Sequence, residues 1–214
     1  MENLYVKKLV REFEKKRPVY EEFCFAVNKL LVNLLELKKY KYQIYFRVKN
    51  PQKLEEKIIR KKKRKKMYKN LSDVEDLAGV RIVFYLESDK EKFIKDLKQE
   101  IPNIIKIEDL EKKNGYRAKH VIITLDSKRL ELSEYKKFEN LKCEIQLVSI
   151  FSHAWAELEH DWLYKDIHGF KNKNPEGYKI AKKQMESIFK NYVRKLNMRF
   201  ERVAKQILND KKIL

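Results

Sequence analysis

The sequence has little of what marks secreted, membrane-bound or multidomain proteins. Its 214 residues contain two cysteines, four glycines and four prolines. Cys24 and Cys143 stand in the apolar stretches FCFAV and LKCEIQL, which favours two buried thiols over a structural disulfide. No Gly-rich or Pro-rich linker divides the chain, so we predict a single domain over residues 1–214.

Long apolar runs are also missing. None approaches the roughly 18–20 residues that a membrane-spanning helix needs. Near the start, Glu2, Arg11 and Glu12 fall where a secretory signal peptide would need an apolar core, which argues against a standard signal of that kind. We therefore predict a cytoplasmic protein with no membrane partner.

Positive charge is what the sequence has in excess. Lys and Arg total 51 against 32 Asp and Glu, a formal net charge of +19. Such a surface favours polyanionic partners, because Lys and Arg replace the counterions that surround phosphates. Nucleotides, RNA and an acidic protein all fit, and the alternative is a surface merely solvated by lysine.

Hydrophobic periodicity predicts helices that alternate with strands. The predicted helices cover residues 3–16 and 19–39, start at Pro51 and at Ser88, and cover 150–164 and 176–208. The predicted strands are 42–49, 80–86, 104–108, 120–125 and 141–148. The fold class is therefore α+β, a mixed sheet flanked by helices. Its parts are a helical N-terminal part (1–40), a core (41–165) and a C-terminal helical part (166–214).

Two details of this prediction depend on local patterns. Ser72 and Glu75 have the spacing of a capping box, which predicts a short helix that ends at Gly79. The last helix carries a stripe that we expect to pack on the body of the protein or on another subunit. This stripe consists of Ile188, Tyr192, Leu196, Arg199 and Val203.

Five basic residues form one candidate binding surface. Strand 42–49 alternates, which places Arg47 and Lys49 on the same face. Lys53, Lys57 and Arg60 follow at helical spacing on one face of the next helix. Together they make a basic wall that could neutralise several phosphates, and the alternative is a solvated surface.

Two carboxylates form a second candidate. Asp76 and Arg81 belong to the segment DLAGVR, and Glu144 and Gln146 share one face of strand 141–148. If strands 80–86 and 141–148 are neighbours, Asp76 and Glu144 could share Mg²⁺, which carboxylates and triphosphates bind together. The alternatives are a helix-end aspartate and a strand glutamate that faces water.

A third candidate is the segment NGYRAKH, residues 114–120. Tyr116 offers a ring on which a base could stack, and Arg117, Lys119 and His120 are donors for phosphates. Surface-turn residues are the alternative.

Taken in order, these motifs resemble the synthetase domain of the RelA/SpoT family, the (p)ppGpp alarmone synthetases. The matching elements are RVK with a second Lys (Arg47, Lys49, Lys57), DLAGVRI (Asp76 to Ile82), GYRAKH (Gly115 to His120), EIQ (Glu144 to Gln146) and AWAELEH (Ala154 to His160). The resemblance covers roughly residues 20–165. It implies a nucleotidyltransferase-like fold and the transfer of the β,γ-pyrophosphoryl group of ATP to the 3′-hydroxyl of GDP or GTP, with release of AMP.

The resemblance also implies how the donor nucleotide is held. Arg47 and Arg81 would sandwich the adenine of ATP. Lys49, Lys57 and Lys53 would bind its phosphates, although this family often has Ser where Lys53 stands.

On the acceptor side, the resemblance makes Asp76 and Glu144 the catalytic residues and the Mg²⁺ ligands. Glu144 would also take the proton from the attacking hydroxyl. Tyr116 would stack on the acceptor base, with His120 and Gln146 near the acceptor or the phosphates.

One departure from the family leaves the acceptor open. Relatives commonly continue EIQ with an apolar residue and then Arg-Thr, whereas this chain has Leu147, Val148 and Ser149. Some small family members are toxins of toxin–antitoxin pairs that pyrophosphorylate the CCA end of tRNA, and Lys15, Lys16 and Arg17 would suit such an RNA. A protein antitoxin, a homo-oligomer and a non-catalytic nucleotide- or RNA-binding module on the same fold are the other possibilities.

Overall fold

The computed structural model describes residues 2–63, 67–111, 117–166 and 169–210. Its α-helices are α1 (Glu2–Leu37), α2 (Pro51–Lys63), α3 (Asp89–Glu100), α4 (Ser127–Leu130), α5 (Ile150–Glu159), α6 (Phe170–Lys173), α7 (Pro175–Ile188) and α8 (Arg194–Asp210). Its strands are β1 (Tyr42–Val48), β2 (Ala78–Phe84), β3 (Ile104–Glu111), β4 (Arg117–Ile123) and β5 (Cys143–Ser149). Short 3₁₀ turns lie at Leu71–Asp73 and Lys136–Phe138, and π-helical turns at His160–Tyr164 and Phe189–Val193. None of the helices in these ranges has the length and apolar character to span a membrane.

The strands form one mixed sheet in the order β1-β2-β5-β4-β3. β2 and β5 are parallel neighbours at its centre, and the other adjacent pairs are antiparallel. Each predicted strand is present, with boundaries that differ by a few residues, and helices flank the sheet. The predicted α+β class and the adjacency of the DLAGVR and EIQ strands are confirmed.

The two faces of this sheet differ because side chains alternate along each strand. α1 and α3 cover the apolar face, where Cys24 and Cys143 are buried free thiols as the sequence predicts. The buried side chains of the central strands on this face are Ala78, Val80, Ile82, Phe84, Cys143, Ile145 and Leu147. The opposite face, which we call the polar face, carries Arg47, Arg81, His120, Glu144 and Gln146.

The N-terminal part is one continuous helix, so the prediction of two helices is wrong. Pro18 lies inside α1 and is exposed, as are the residues just before it. The carbonyl that loses its hydrogen bond to the proline therefore faces water, which keeps the cost of an interior proline low. Phe13 and Tyr20 on either side are buried in the same core with their rings 5.6 Å apart, and this packing holds the helix together.

The predicted short helix ending at Gly79 is also wrong. Asn70, not Ser72, precedes the 3₁₀ turn, and the carboxylate of Asp73 accepts from its backbone nitrogen at 3.0 Å. Gly79 lies within β2 between Arg47 and Glu144. A Cβ there would lie 3.7 Å from the Glu144 carbonyl oxygen, an ordinary contact, so no tight turn requires this glycine.

The C-terminal helices pack on α5 through a different stripe from the predicted one. Phe189 and Val193 are buried, with the Phe189 ring 4.8 Å from that of Trp155, and Asn197 donates to Ser152 at 3.3 Å. The buried stripe is displaced by one residue from the predicted stripe, and the predicted stripe faces outward. Its apolar members Ile188, Tyr192, Leu196 and Val203 are all exposed.

A small apolar cluster closes one end of the polar face. Val148, which stands where relatives commonly have Arg, is only 2% exposed and packs with Val83 and Ala118. Ile150 at the start of α5 covers this cluster. The neighbours of Val148 are therefore matched to an aliphatic side chain.

Candidate active site

Strand register brings the predicted residues together on the polar face. Arg47 is paired with Gly79, which is paired in turn with Glu144. Two residues further along β2, Arg81 is paired with Gln146, which is also paired with His120 on β4. Segments far apart in the sequence thus meet on one surface that spans four strands, β1, β2, β5 and β4.

Asp76, which lies just before β2, is held by two lysines. Lys49 Nζ is 2.9 Å from Asp76 Oδ2, and Lys57 Nζ is 2.7 Å from Oδ1. These side chains are 22%, 15% and 17% exposed, for Asp76, Lys49 and Lys57 respectively. Burial raises the pKa of Asp76, but the charges of the two lysines outweigh it and hold this pKa below its ordinary value. The aspartate is therefore an ionised, paired carboxylate.

Glu144 is held by one residue on the adjacent strand β4 and by one on its own strand β5. His120 Nδ1 lies 2.9 Å from Glu144 Oε1, and Gln146 Nε2 donates to Oε2 at 2.7 Å. Burial and the nearby Asp76 charge raise the pKa of Glu144, but the contacts with His120 and Gln146 lower it overall. Asp76 lies just before β2 and Glu144 near the start of β5, so both carboxylates are at the same end of two parallel neighbouring strands.

Gln146 joins this carboxylate to Arg81. Its Oε1 accepts from Arg81 Nε at 3.1 Å while its Nε2 donates to Glu144. Arg81 Nη1 also contacts Glu157 on α5. A chain of polar contacts therefore runs across three strands from Glu157 to His120.

Asp76 and Glu144 suit a magnesium ion that arrives with phosphates. Among the described residues no group of three or more His, Cys, Asp and Glu side chains could hold a metal. Mg²⁺ needs no such cage, since one or two carboxylates plus waters and substrate phosphates are its usual ligands. The buried Asp76 Oδ1 also accepts no well-aligned hydrogen bond from the described part of the chain, despite its contact with Lys57.

Other predicted donor-side residues are placed differently. Lys53 is exposed and pairs with Glu56 on its own helix at 2.9 Å, away from the Asp76 cluster. Arg47 is exposed on the edge strand β1, and Arg60 is exposed on α2. The structure thus brings Lys49 and Lys57 together but not Lys53.

The GYRAKH segment divides between the two faces. His120 lies on the polar face, whereas Lys119 points to the other face and contacts Glu91 at 2.9 Å and Asp109 at 2.5 Å. Tyr116 and the side chain of Arg117 lie outside the described residues.

The predicted RNA contacts lie on the exposed side of α1. Lys16 pairs with Glu12 at 2.8 Å and Arg17 with Glu21 at 3.1 Å. Lys15 is exposed beside them. Acidic neighbours therefore reduce the net charge of this patch.

Three residues that the sequence reasoning did not assign also line the polar face. Glu157 contacts Arg81, and His153 Nδ1 lies 3.8 Å from Glu157 Oε1. The ring of Tyr45 lies 6.0 Å from that of His153. Burial and the Arg81 charge lower the pKa of His153. Glu157 and His153 lie four residues apart on α5, which places them on the same face of the helix. This spacing was the sequence signal that could have indicated a second polar pair beside the sheet.

The overall shape is that of the small alarmone synthetases. A GTP pyrophosphokinase family protein from Streptococcus pneumoniae superimposes with a TM-score of 0.70 at 21% identity, over 95% of this chain and 98% of that one. Small alarmone synthetase 1 from Bacillus subtilis, solved with its product pppGpp, gives a TM-score of 0.65 at 19% identity, over 94% and 99% of the two chains. These likenesses define the fold.

Sequence similarity then identifies the family. The region found in RelA / SpoT proteins matches residues 46–168, more than half of the chain, and this chain belongs to that family. GTP pyrophosphokinase YwaC of Bacillus subtilis (strain 168) is 38% identical over 96 residues. The matched segment is 43% of this chain and 43% of that relative.

Proposed function

We propose that this chain is an ATP-dependent pyrophosphokinase. It transfers the β,γ-pyrophosphoryl group of ATP to the 3′-hydroxyl of GDP or GTP and releases AMP. Family membership and the name of the relative YwaC support this assignment. The observation that carries it is the placement of a lysine-bound Asp76 and a His- and Gln-bound Glu144 at the same end of two parallel neighbouring strands.

The donor nucleotide would lie along the polar face. Lys49 and Lys57 are the cations nearest Asp76 and would bind the phosphates of ATP. Arg81 and Arg47 are on the same face and would hold the adenine between their guanidinium planes. Mg²⁺ held by Asp76 and Glu144 would neutralise charge on the phosphates.

The reaction needs a base and a cation clamp. The 3′-hydroxyl oxygen forms a bond to the β-phosphorus, and the bond from that phosphorus to the oxygen retained by AMP breaks. Glu144 accepts the hydroxyl proton, since contacts with His120 and Gln146 keep its carboxylate ionised. Lys49 and Lys57 offset the negative charge that the breaking bond leaves.

A tRNA acceptor is the second candidate, supported by the +19 charge and by Lys15, Lys16 and Arg17. The ion pairs of Lys16 and Arg17 with neighbouring glutamates weaken that support. We therefore rank the guanosine acceptors first, and a protein antitoxin or a homo-oligomer stays a prediction.

One transfer assay tests this proposal. ATP labelled in the γ-phosphate is incubated with the protein, Mg²⁺ and, in parallel, GDP, GTP and deacylated tRNA. We expect label in a guanosine product. Glu144→Gln should abolish the transfer, while Glu176→Gln, which changes an exposed glutamate paired with Lys179 at 2.8 Å, should retain it.

The other outcomes would reject the assignment. Label that reaches tRNA and disappears when the CCA end is removed would make this chain a tRNA-modifying enzyme. Label on no acceptor, with nucleotide binding retained, would make it a non-catalytic binding module.

A further inference from the structure

We infer that Glu157 is a positioning residue for ATP recognition. Its carboxylate fixes the plane of the Arg81 guanidinium so that the flat face of this group receives the adenine base. The inference rests on the proposed function, because it assumes that ATP is the donor bound beside Arg81.

Arg81 is anchored at two of its nitrogens by two different elements. Nε donates to Gln146 Oε1 on β5 at 3.1 Å, and Nη1 donates to Glu157 Oε1 on α5. Two N–H donors on different sides of a planar guanidinium, held by two separate acceptors, define the orientation of the whole plane. Both contacts use N–H groups that lie in the plane of the guanidinium, so neither hydrogen bond occupies a face of the group.

The helix that carries Glu157 is itself fixed. Trp155 is buried, its ring packs 4.8 Å from Phe189, and its Nε1 donates to the Met185 carbonyl at 2.9 Å. α5 starts directly after β5, the strand that carries Gln146. Both anchors of Arg81 therefore belong to one rigid strand–helix unit, whereas Arg47 on the edge strand is exposed.

The charge of Glu157 also decides which part of ATP Arg81 recognises. A guanidinium already paired with a carboxylate attracts phosphate less than a free one does, but it still stacks on a purine. Lys49 and Lys57 are the nearby cations for the phosphates. Arg81 thus recognises the base and the lysines recognise the phosphates.

The test separates base binding from phosphate binding. The dissociation constants of adenosine, AMPCPP and inorganic tripolyphosphate are measured by calorimetry for the wild type, Glu157→Gln and Glu157→Ala. Loss of a charge-assisted contact predicts about 5- to 50-fold weaker adenosine and AMPCPP binding for Glu157→Ala, and a smaller effect for Glu157→Gln. Tripolyphosphate should bind both variants at least as tightly as the wild type.

Kinetics provide the second measurement. KM for ATP should rise in parallel with the binding loss, while kcat at saturating ATP stays within about twofold, because the contact is equal in the ground and transition states. Glu176→Gln, which removes a surface pair with Lys179, is the matched control and should change neither value. Glu157→Gln keeps the shape of the side chain and serves if Glu157→Ala folds poorly.

Two results would overturn the inference. Wild-type adenosine affinity in both variants would show that Glu157 does not orient the Arg81 guanidinium for base binding. Equal losses for adenosine and tripolyphosphate would show general damage to the site. A wild-type protein that binds neither ATP nor adenosine would instead refute the proposed function.

Discussion

Asp76→Asn should destabilise the folded protein, although Asp76 is a proposed active-site residue. Replacing an active-site carboxylate often relieves repulsion between like charges. Here the carboxylate lies between two ammonium groups and offsets their mutual repulsion, because Lys49 and Lys57 each contact one of its oxygens. The asparagine variant leaves two largely buried cations without their counter-charge.

The size of the effect follows from the two contacts. A hydrogen bond to a charged group contributes about 1.5–3 kcal/mol, and the remaining exposure of these side chains favours the lower end. We expect a loss of about 2–4 kcal/mol in the free energy of unfolding. For a chain of this size that corresponds to a fall in Tm of roughly 4–16 °C.

Urea denaturation and calorimetry measure this loss directly. Glu56→Gln is the matched control, because it removes one negative charge from a lysine pair on the surface of α2. An exposed pair contributes about 0–1 kcal/mol, so the control should leave Tm nearly unchanged. Equal effects of Asp76→Asn and Glu56→Gln, or a gain of stability in Asp76→Asn, would refute the reasoning.

The pH dependence of this difference has a defined sign. The pKa of Asp76 is lower in the folded protein than its ordinary value, so its stabilising contribution is complete above the unfolded pKa of about 3.9. The contribution is lost as the pH falls through the folded pKa. The gap between wild type and Asp76→Asn should therefore persist from pH 8 to about 5 and close below about 4.

Three further predictions concern other parts of the chain. Pro18→Ala restores a hydrogen bond within α1 and should raise stability by about 1–3 kcal/mol; an unchanged urea midpoint would contradict this account. Val148→Arg restores the residue common in relatives but puts a charge into the buried apolar cluster, and it should cost more than about 3 kcal/mol, whereas wild-type stability would contradict that packing. The pKa of Glu144 is held below the ordinary value of a glutamate, so kcat/KM should stay level from pH 8 to about 5.5; a fall near pH 7 that persists in His120→Gln would argue against Glu144 as the base.

Strand alternation was the most informative sequence signal. A period of two assigns each residue to a face, so the shared face of Glu144 and Gln146 followed from spacing alone and is confirmed by their 2.7 Å contact. The pairing of β2 with β5 did not follow from spacing, because parallel strands have no turn that fixes their register. The prediction that Asp76 and Glu144 lie at the same end of neighbouring strands therefore depended on the pairing of β2 with β5, which only the structure shows.

Helices were harder to predict because their faces depend on what packs against them. The stripes that start at Ile188 and at Phe189 both repeat at helical spacing of three or four residues, and the sequence offers no reason to choose between them. Trp155 on α5 decides the choice by packing against Phe189. The predicted break between residues 16 and 19 is absent for a similar reason, since the packing of Phe13 against Tyr20 outweighs the local tendency of Pro18 to end a helix.

The contacts of the two carboxylates lead to a prediction about the order of binding. Both oxygens of Asp76 contact a lysine, and the oxygens of Glu144 contact His120 and Gln146. A divalent cation can bind them only by displacing these partners. The phosphates of ATP would draw Lys49 and Lys57 away, so we expect the metal to bind together with the nucleotide.

Metal binding without catalysis tests this order. Mn²⁺ titrated by electron paramagnetic resonance should bind the nucleotide-free wild type weakly and the AMPCPP complex tightly. Lys57→Met frees one carboxylate oxygen and should tighten metal binding without nucleotide by about 5- to 30-fold, the equivalent of roughly 1–2 kcal/mol. Lys53→Met removes an exposed lysine of the same helix and should have no effect. Tight Mn²⁺ binding by the nucleotide-free wild type would show that the lysines do not compete with the metal, because the carboxylates would then be accessible before ATP arrives.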